Sequence, residues 1–177
     1  MRPPAFVHDA LARLLEYPSE GFEEGVQEWS SQVAGACPGA EGPLDRFAKF
    51  AVGPDTGTLQ EFFTRTFEIN PACTLEVGWQ LFGENYNRGE FLVRMRQILK
   101  NAGVPETSEL PDHLTQVLRA LGRMEPRQAA ALADESAIPA VKKMAVNLAV
   151  NENPYEGVLD AVLEVLAMHR APEGVQE

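Results

Sequence analysis

Apolar residues recur three and four positions apart in segment after segment of this chain, and no segment alternates apolar and polar residues over a sustained run. One stripe has the spacing i, i+3, i+4 and i+7 and consists of Leu114, Val117, Leu118 and Leu121. This spacing puts side chains on one face of an α-helix, whereas a strand requires a period of two. With 177 residues and 45% hydrophobic content, the chain can bury one core without metals or disulfides. The sequence therefore predicts an all-α fold, a single-domain helical bundle over residues 1–177 with about eight to ten helices.

The stretch richest in aromatic residues runs from Phe62 to Arg96. Pro71 pushes the preceding Asn70 toward extended backbone, so a helix is predicted to end there. The next helix is predicted to begin at Cys73 and to end at Phe82, and apolar residues cover most of its circumference. A helix of this kind lies either at the centre of a fold or against a partner.

Chain breakers and capping residues predict the remaining boundaries. Ser19 and Thr58 are predicted to cap two helices. Residues 34–43 contain three glycines and two prolines, which predicts a loop, a mobile Gly/Pro-rich connector. A short alanine-rich helix is predicted over residues 126–134, separate from the helix that follows it. Asn153 is predicted to cap the last helix, with a proline at its first position.

The charge distribution narrows the classes of partner. A net charge of −11 disfavours nucleic acid, whose phosphates repel such a chain, and permits a basic partner. No Lys or Arg occurs between Arg13 and Arg46, or between Lys143 and Arg170. In the second of these stretches, acids recur every four positions, namely Glu152, Glu156, Asp160 and Glu164. On a helix they form a stripe, which is either a plain solvated face or a landing surface for a basic ligand.

Signatures of catalysis, metal binding and membrane insertion are absent from the sequence. The three histidines are scattered, and no phosphate-binding loop or metal motif occurs. We therefore predict no catalytic residue, no metal and no cofactor, and hence no enzyme. Cys37 and Cys73 are far apart, which suits a reducing compartment. Without a signal peptide or a membrane-length apolar run, a cytoplasmic protein without stable membrane insertion is expected.

Several motifs point to one protein family. They are Leu14–Pro18, Phe67–Leu75, Leu81–Gly83, Arg88–Glu90 and the hexapeptide Glu109–Leu114. Through them the chain, over about residues 5–125, resembles the NarJ branch of the TorD/DmsD family, which are assembly chaperones for molybdenum-cofactor enzymes. The resemblance implies an all-α chaperone that binds the N-terminal leader of a client's catalytic subunit, a twin-arginine signal or a remnant of one. Binding would hold the enzyme back from membrane targeting until its molybdenum cofactor is inserted.

The resemblance also implies the partners. The first is the α subunit of a respiratory nitrate reductase, and proteins of molybdenum cofactor biosynthesis are further candidates. Related enzymes that act on dimethyl sulfide, selenate or ethylbenzene are alternative clients. The rival interpretation is a non-catalytic helical scaffold subunit.

A leader that is basic at its start and apolar afterwards can dock as an amphipathic helix, and its receptor then needs an apolar groove beside carboxylates. The sequence offers candidates for both. By motif match to the family, Asp112 and His113 belong to the leader site, where they either touch the peptide or hold two helices together. The candidate groove residues are Trp79, Leu81, Phe82 and Tyr86, and the candidate acids of the last helix are Glu156 and Asp160.

Overall fold

A computed structural model describes residues 1–170, and these residues form one all-α domain without a β-strand, as predicted. Ten α-helical segments lie within the predicted range. They are α1 (Ala5–Leu14), α2 (Phe22–Ala36), α3 (Glu41–Ala51), α4 (Thr56–Phe63), α5 (Val77–Phe82), α6 (Tyr86–Asn101), α7 (Leu114–Leu121), α8 (Pro126–Leu132), α9 (Ile138–Val150) and α10 (Tyr155–Ala167). Short 3-10 turns occupy Pro38–Ala40 and Pro71–Cys73.

The core forms where the apolar stripes of the helices meet. Helix α1 packs against α2 and α7, and α10 packs against α3 and α9. The stripe predicted for α7 is buried along its whole length. Tyr155, at the start of α10, is 1% exposed. Its ring lies within aromatic contact of Phe47, Phe62, Phe63 and Phe67.

A buried histidine pair joins the two ends of the described chain. His8 of α1 and His169, just after α10, lie with their Nε2 atoms 2.8 Å apart. The Nδ1 atom of His8 is 3.0 Å from the carbonyl of Pro4 and donates to it. The Nε2 of His8 therefore accepts, and the Nε2–H of His169 donates. Burial lowers the pKa of both rings, that of His169 to about 4, so both are neutral near pH 7.

Two helices continue through a π-helical turn, and one of them is longer than predicted for that reason. Residues Thr64–Glu68 extend α4, and Ala133–Ala137 join α8 to α9. The predicted break after residue 134 is therefore wrong. A proline inside a helix lacks one N–H donor and crowds the carbonyl four residues earlier. The wider turn directly before Pro139 gives its ring room.

The predicted loop over residues 34–43 is also wrong, because this stretch is mostly helical. Helix α2 continues to Ala36, a 3-10 turn follows, and α3 begins at Glu41. Pro38 and Pro43 both lie in first turns, where the missing N–H of proline needs no partner. Ala40 between them is fully buried. The connector is reduced to the residues around Cys37.

The caps agree with the sequence in part. Asn153 caps α10 as predicted, because its Oδ1 accepts the N–H of Tyr155 at 3.0 Å. Asn70 is extended (φ −100°, ψ 104°) and ends the preceding helical run, also as predicted. Asp55, not Thr58, caps α4, since its Oδ1 accepts the Thr58 N–H at 2.8 Å. Helix α2 begins three residues after Ser19, behind Gly21.

A short antiparallel bridge between distant segments explains two further differences. The N–H of Val77 donates to the carbonyl of Asp112 at 2.9 Å, and the N–H of Leu114 donates to that of Leu75 at 2.8 Å. These bonds hold Glu76 in extended backbone, so α5 begins at Val77 and not at Cys73. By its pattern alone the hexapeptide predicts a helix start with its proline in the first turn. The bridge instead places Asp112 and His113 outside the helix, so α7 begins at Leu114, the last residue of the hexapeptide, and no proline lies in its first turn.

Candidate functional site

A pocket of about 300 Å³ lies beside the bridge, and we call it the acidic pocket. Its apolar lining comes from three side chains, Phe63, Phe67 and Leu75. Its carboxylates come from three separate segments and belong to Glu68, Glu76 and Glu109. Thr74 and His113 complete the lining. An apolar floor with carboxylates around it suits a cationic group on an apolar stem, such as an arginine side chain.

His113 is both the cap of α7 and part of the acidic pocket. Its Nδ1 accepts the N–H of Thr115 at 3.3 Å and lies 2.7 Å from the hydroxyl of the same residue. The ring proton is therefore on Nε2, which faces the Glu109 carboxylate at 3.8 Å. Burial lowers the pKa of His113 to about 4 despite the nearby Glu76, so the ring is neutral near pH 7.

Asp112 does not line the acidic pocket, because its side chain is fully buried behind the bridge. Its Oδ2 accepts the N–H of Gly78 at 2.9 Å and lies 3.6 Å from the guanidinium of Arg88. Burial raises the pKa of Asp112, and Arg88 opposes part of that effect. Arg88 in turn donates to the Glu76 carboxylate at 2.8 Å. Asp112 therefore holds α5 and α6 in place, while its neighbour in sequence faces the pocket.

A second groove lies along α4, and we call it the α4 groove. Its lining consists of two large apolar side chains, Tyr17 and Ile69, with Gly57 and four polar residues, Gln60, Glu61, Thr64 and Arg65. Tyr17 packs edge-on against Phe63 of the acidic pocket, with ring centroids 5.7 Å apart. Tyr17 and Ile69 are 51% and 68% exposed, so an apolar ligand has surface to cover here.

Trp79 lies in a different groove from His113. This groove of about 490 Å³, here called the lysine groove, is lined by Trp79, Gln80, Lys142, Lys143, Val146, Asn147 and the turn at Pro71 and Ala72. The guanidinium of Arg88 lies 5.6 Å from the centroid of the Trp79 ring. Arg88 therefore contacts a residue of each site, Glu76 on one side and Trp79 on the other.

The other predicted groove residues are distributed around α5 and α6. Leu81 and Phe82 are half-buried against the core. The rings of Phe82 and Phe91 pack together, with their centroids 5.9 Å apart. Tyr86 begins α6 and is 82% exposed. Leu81, Phe82 and Tyr86 line neither the acidic pocket nor the lysine groove.

Glu156 and Asp160 lie on α10, which packs against α3 and α9, not against α5. Asp160 forms an ion pair with Arg46 of α3 at 3.3 Å. Burial raises the pKa of Asp160, and Arg46 opposes this. The stripe predicted from the sequence thus runs beside α3 and is partly neutralised there.

Sequence reasoning missed most of the acidic pocket. The spacing of Phe63 and Phe67 was that of an ordinary buried stripe, and no local pattern singled out Glu68 or Glu76. Glu109 alone carried a signal, because it stands four residues before His113, inside the hexapeptide that the family resemblance had marked.

Neither the protein-family models nor the curated proteins match this chain. Among residues 1–170, no cluster of three or more His, Cys, Asp or Glu side chains could hold a metal ion. None of the helices in this part of the chain is long and apolar enough to cross a membrane.

Proposed function

We propose that this chain is a cytoplasmic assembly chaperone for a molybdenum enzyme, and that it binds the N-terminal leader of the catalytic subunit. The expected client is the α subunit of a respiratory nitrate reductase, with the dimethyl sulfide, selenate and ethylbenzene enzymes as alternatives. Binding would keep the client from the membrane until its cofactor is inserted. The motif resemblance supplies this function, and the acidic pocket supplies a place where it can occur.

The acidic pocket is the observation that carries the proposal. Two residues of the hexapeptide, Glu109 and His113, line it together with two further carboxylates and two phenylalanine rings. An arginine guanidinium forms its strongest contacts with carboxylates, often through two parallel hydrogen bonds. The neutral ring of His113 adds no positive charge that would repel it. Arginines near the start of a leader therefore fit this pocket.

The α4 groove suits the apolar part of the same leader. It adjoins the acidic pocket through the contact of Tyr17 with Phe63, and it exposes Tyr17 and Ile69. An amphipathic helix binds by laying its apolar side chains into such a groove. An acidic site beside exposed apolar side chains suits a ligand in which a basic stretch adjoins an apolar one.

A calorimetric titration with two peptides tests the proposal. One peptide is the leader of a respiratory nitrate reductase α subunit, and the other is its scrambled sequence. The leader should bind at least about tenfold more tightly, since the pocket and groove require an order of charges and apolar residues. Equal affinity for both peptides would leave the chain as a helical scaffold.

Charge reversal locates the binding site. The variant Glu68→Lys/Glu109→Lys should weaken leader binding by at least about tenfold, because it places two cations where arginines are expected. The control Glu24→Lys/Glu28→Lys changes the net charge equally on the exposed side of α2. It should change the affinity by less than about threefold through long-range electrostatics alone. A similar loss in both variants would remove the acidic pocket from the proposal.

A further inference from the structure

The lysine groove differs from the acidic pocket in the sign of its charge. Lys142 and Lys143 line it, and no carboxylate from residues 1–170 does so, although the whole chain carries a net charge of −11. The ammonium of Lys143 donates to the carbonyl of Gln80 at 2.9 Å and so keeps its charge unneutralised by an acid. The positive charge of the groove therefore comes from Lys142 and Lys143, because Arg88 beside the Trp79 ring is already paired with Glu76 and Asp112.

Hydrogen bonds fix the walls of the lysine groove. The side-chain amide of Asn147 donates to the carbonyl of Ala72 at 2.9 Å. The amide of Gln80 donates to the same carbonyl and to that of Thr74, each at 3.0 Å. These bonds tie α9, α5 and the turn at Pro71 together. A ligand therefore meets a preformed surface and does not have to order it, which favours binding.

An exposed apolar face continues from the groove along α9. Val146 and Val150 are 65% and 79% exposed, and they follow Lys142 at intervals of four residues. Ala149 is exposed on the same helix. Residues at i, i+4 and i+8 share one face, so cation and valines form a continuous strip about two turns long. A small anion would cover the lysines and leave the valines in water.

We infer that the lysine groove and the adjoining face of α9 bind an acidic amphipathic helix of a partner protein. Glutamates or aspartates of that helix would pair with Lys142 and Lys143. Its apolar side chains would cover Trp79 and Val146 and extend to Val150. This surface is separate from the acidic pocket, so it does not depend on the leader being the ligand there.

Two model peptides test this inference on the full chain. Both are amphipathic helices with the same leucine positions, one with glutamates and the other with lysines at the polar positions. Calorimetry should detect binding of the acidic peptide by the wild type. Lys142→Glu/Lys143→Glu should weaken that binding at least about tenfold, because attraction becomes repulsion. Arg13→Glu/Arg127→Glu, with the same change in net charge at exposed sites, should weaken it less than about threefold.

A second variant tests the apolar part of the surface. Val146→Asp changes an exposed residue and should leave the circular dichroism spectrum of the chain unchanged. It should lower the affinity for the acidic peptide at least about fivefold. Neither this variant nor the lysine pair should alter the affinity for the nitrate reductase leader by more than about threefold. The leader measurements therefore test the two surfaces independently. If the leader does not bind the wild type, the proposed leader site is wrong, whereas the proposed binding of an acidic helix is unaffected.

Four results would overturn the inference. The first is that the acidic peptide does not bind the wild type. The second is that the lysine variant and the arginine control lower the affinity for the acidic peptide equally. The third is that phosphatidylserine vesicles bind through Lys142 and Lys143 in place of the peptide. The fourth is a sedimentation experiment in which the chain self-associates and Val146→Asp abolishes the association, because a second copy would then be the occupant.

Discussion

The acidic pocket and the lysine groove lie on either side of one arginine and carry opposite charges. Arg88 donates to Glu76, which lines the acidic pocket, and its guanidinium lies over Trp79, which lines the lysine groove. Glu109 and His113 complete the first site, and no acid of residues 1–170 lines the second. The net charge of −11 therefore agrees in sign with the acidic pocket but not with the lysine groove. A partner can be recognised at each by a different kind of segment.

The two sites also differ in how they are built. The acidic pocket forms around the bridge between residues 75–77 and 112–114, so its carboxylates come from segments distant in sequence. The lysine groove takes half of its lining, including both lysines, from neighbouring residues of α9. A substitution at this bridge should therefore disturb the acidic pocket more than the lysine groove.

Acid should have the largest effect, and it acts on the fold more than on either site. Lowering the pH from 7 to 5 should reduce the free energy of unfolding by on the order of 4 kcal/mol, about 2 from each of two histidines. Burial lowers the pKa of His113 and of His169 from 6.5 to about 4. The unfolded chain therefore binds protons first, and this stability is complete above pH 6.5 and is lost as the pH falls toward 4. Urea denaturation at several pH values measures it.

Single variants separate the two histidines. His169→Phe should remove about half of the pH dependence and leave the leader affinity unchanged, because His169 lies at the other end of the chain beside His8 and Arg2. Leader affinity in the wild type should vary less than stability, since His113 stays neutral in this range. A stability that is flat from pH 7 to pH 5 would contradict the burial of these rings.

Removing Arg88 should have the next largest effect, because it leaves the buried carboxylate of Asp112 without a cation. Arg88→Met should lower the free energy of unfolding by about 3 kcal/mol. The double variant with Asp112→Asn should regain about half of that loss, since an amide can still accept the Gly78 N–H and carries no charge. Urea denaturation of the four proteins of this double-mutant cycle provides the measurement.

Arg88→Met also separates the two sites by the sign of the effect. The acidic pocket loses the cation that neutralises Glu76, so its affinity for the basic leader should rise or stay constant. Near Trp79 the change leaves the charges of Glu76 and Asp112 without their counter-ion, so the affinity of the lysine groove for the acidic peptide should fall. Losses at both sites would mean that Arg88 supports their structure and does not set their charge.

A substitution at Gly78 measures how tightly α5 packs against Asp112 and Phe91. A Cβ at this position would lie 2.7 Å from the Oδ2 of Asp112 and 2.9 Å from the ring of Phe91. Gly78→Ala should therefore destabilise the fold by about 2 kcal/mol through overpacking. Gly89→Ala is the matched control, because nothing lies within 4 Å of its Cβ in α6, and it should stabilise the helix by about 0.5–1 kcal/mol. Thermal unfolding of both variants decides whether this region is as crowded as described.

Sequence periodicity predicted the helices well where their stripes face one core. The stripe of α7, the end of a helix at Asn70 and the cap at Asn153 are all found. It did not predict features that depend on distant residues. The start of α5 is displaced because residues 112–114 bond to residues 75–77, and the proline-containing helix from residue 126 to residue 150 is kept continuous by a π-helical turn.

The candidate site was predicted in part and for a similar reason. The hexapeptide motif singled out His113, and the structure places both His113 and Glu109 of this motif in the lining of the acidic pocket. The sequence predicts Trp79 in the same site as His113, yet Trp79 lines the groove that contains Lys142 and Lys143. A sequence pattern describes one face of one helix, whereas the charge of a groove is set by all the helices that line it.

The smallest effect is expected at the acidic stripe of α10, and it tests whether a third site exists. If the arginines of the leader first land on Glu156 and Asp160, then Glu156→Lys/Asp160→Lys should slow association and flatten its salt dependence. However, the stripe runs beside α3, and Asp160 already pairs with Arg46. We therefore expect less than about a twofold change in association rate, and stability lower by only a few tenths of a kcal/mol, since the exposed pair is worth little. Stopped-flow association at low and high salt measures the rate, with Glu68→Lys/Glu109→Lys as the reference. A rate loss as large as that of the reference variant would place the first contact of the leader on α10.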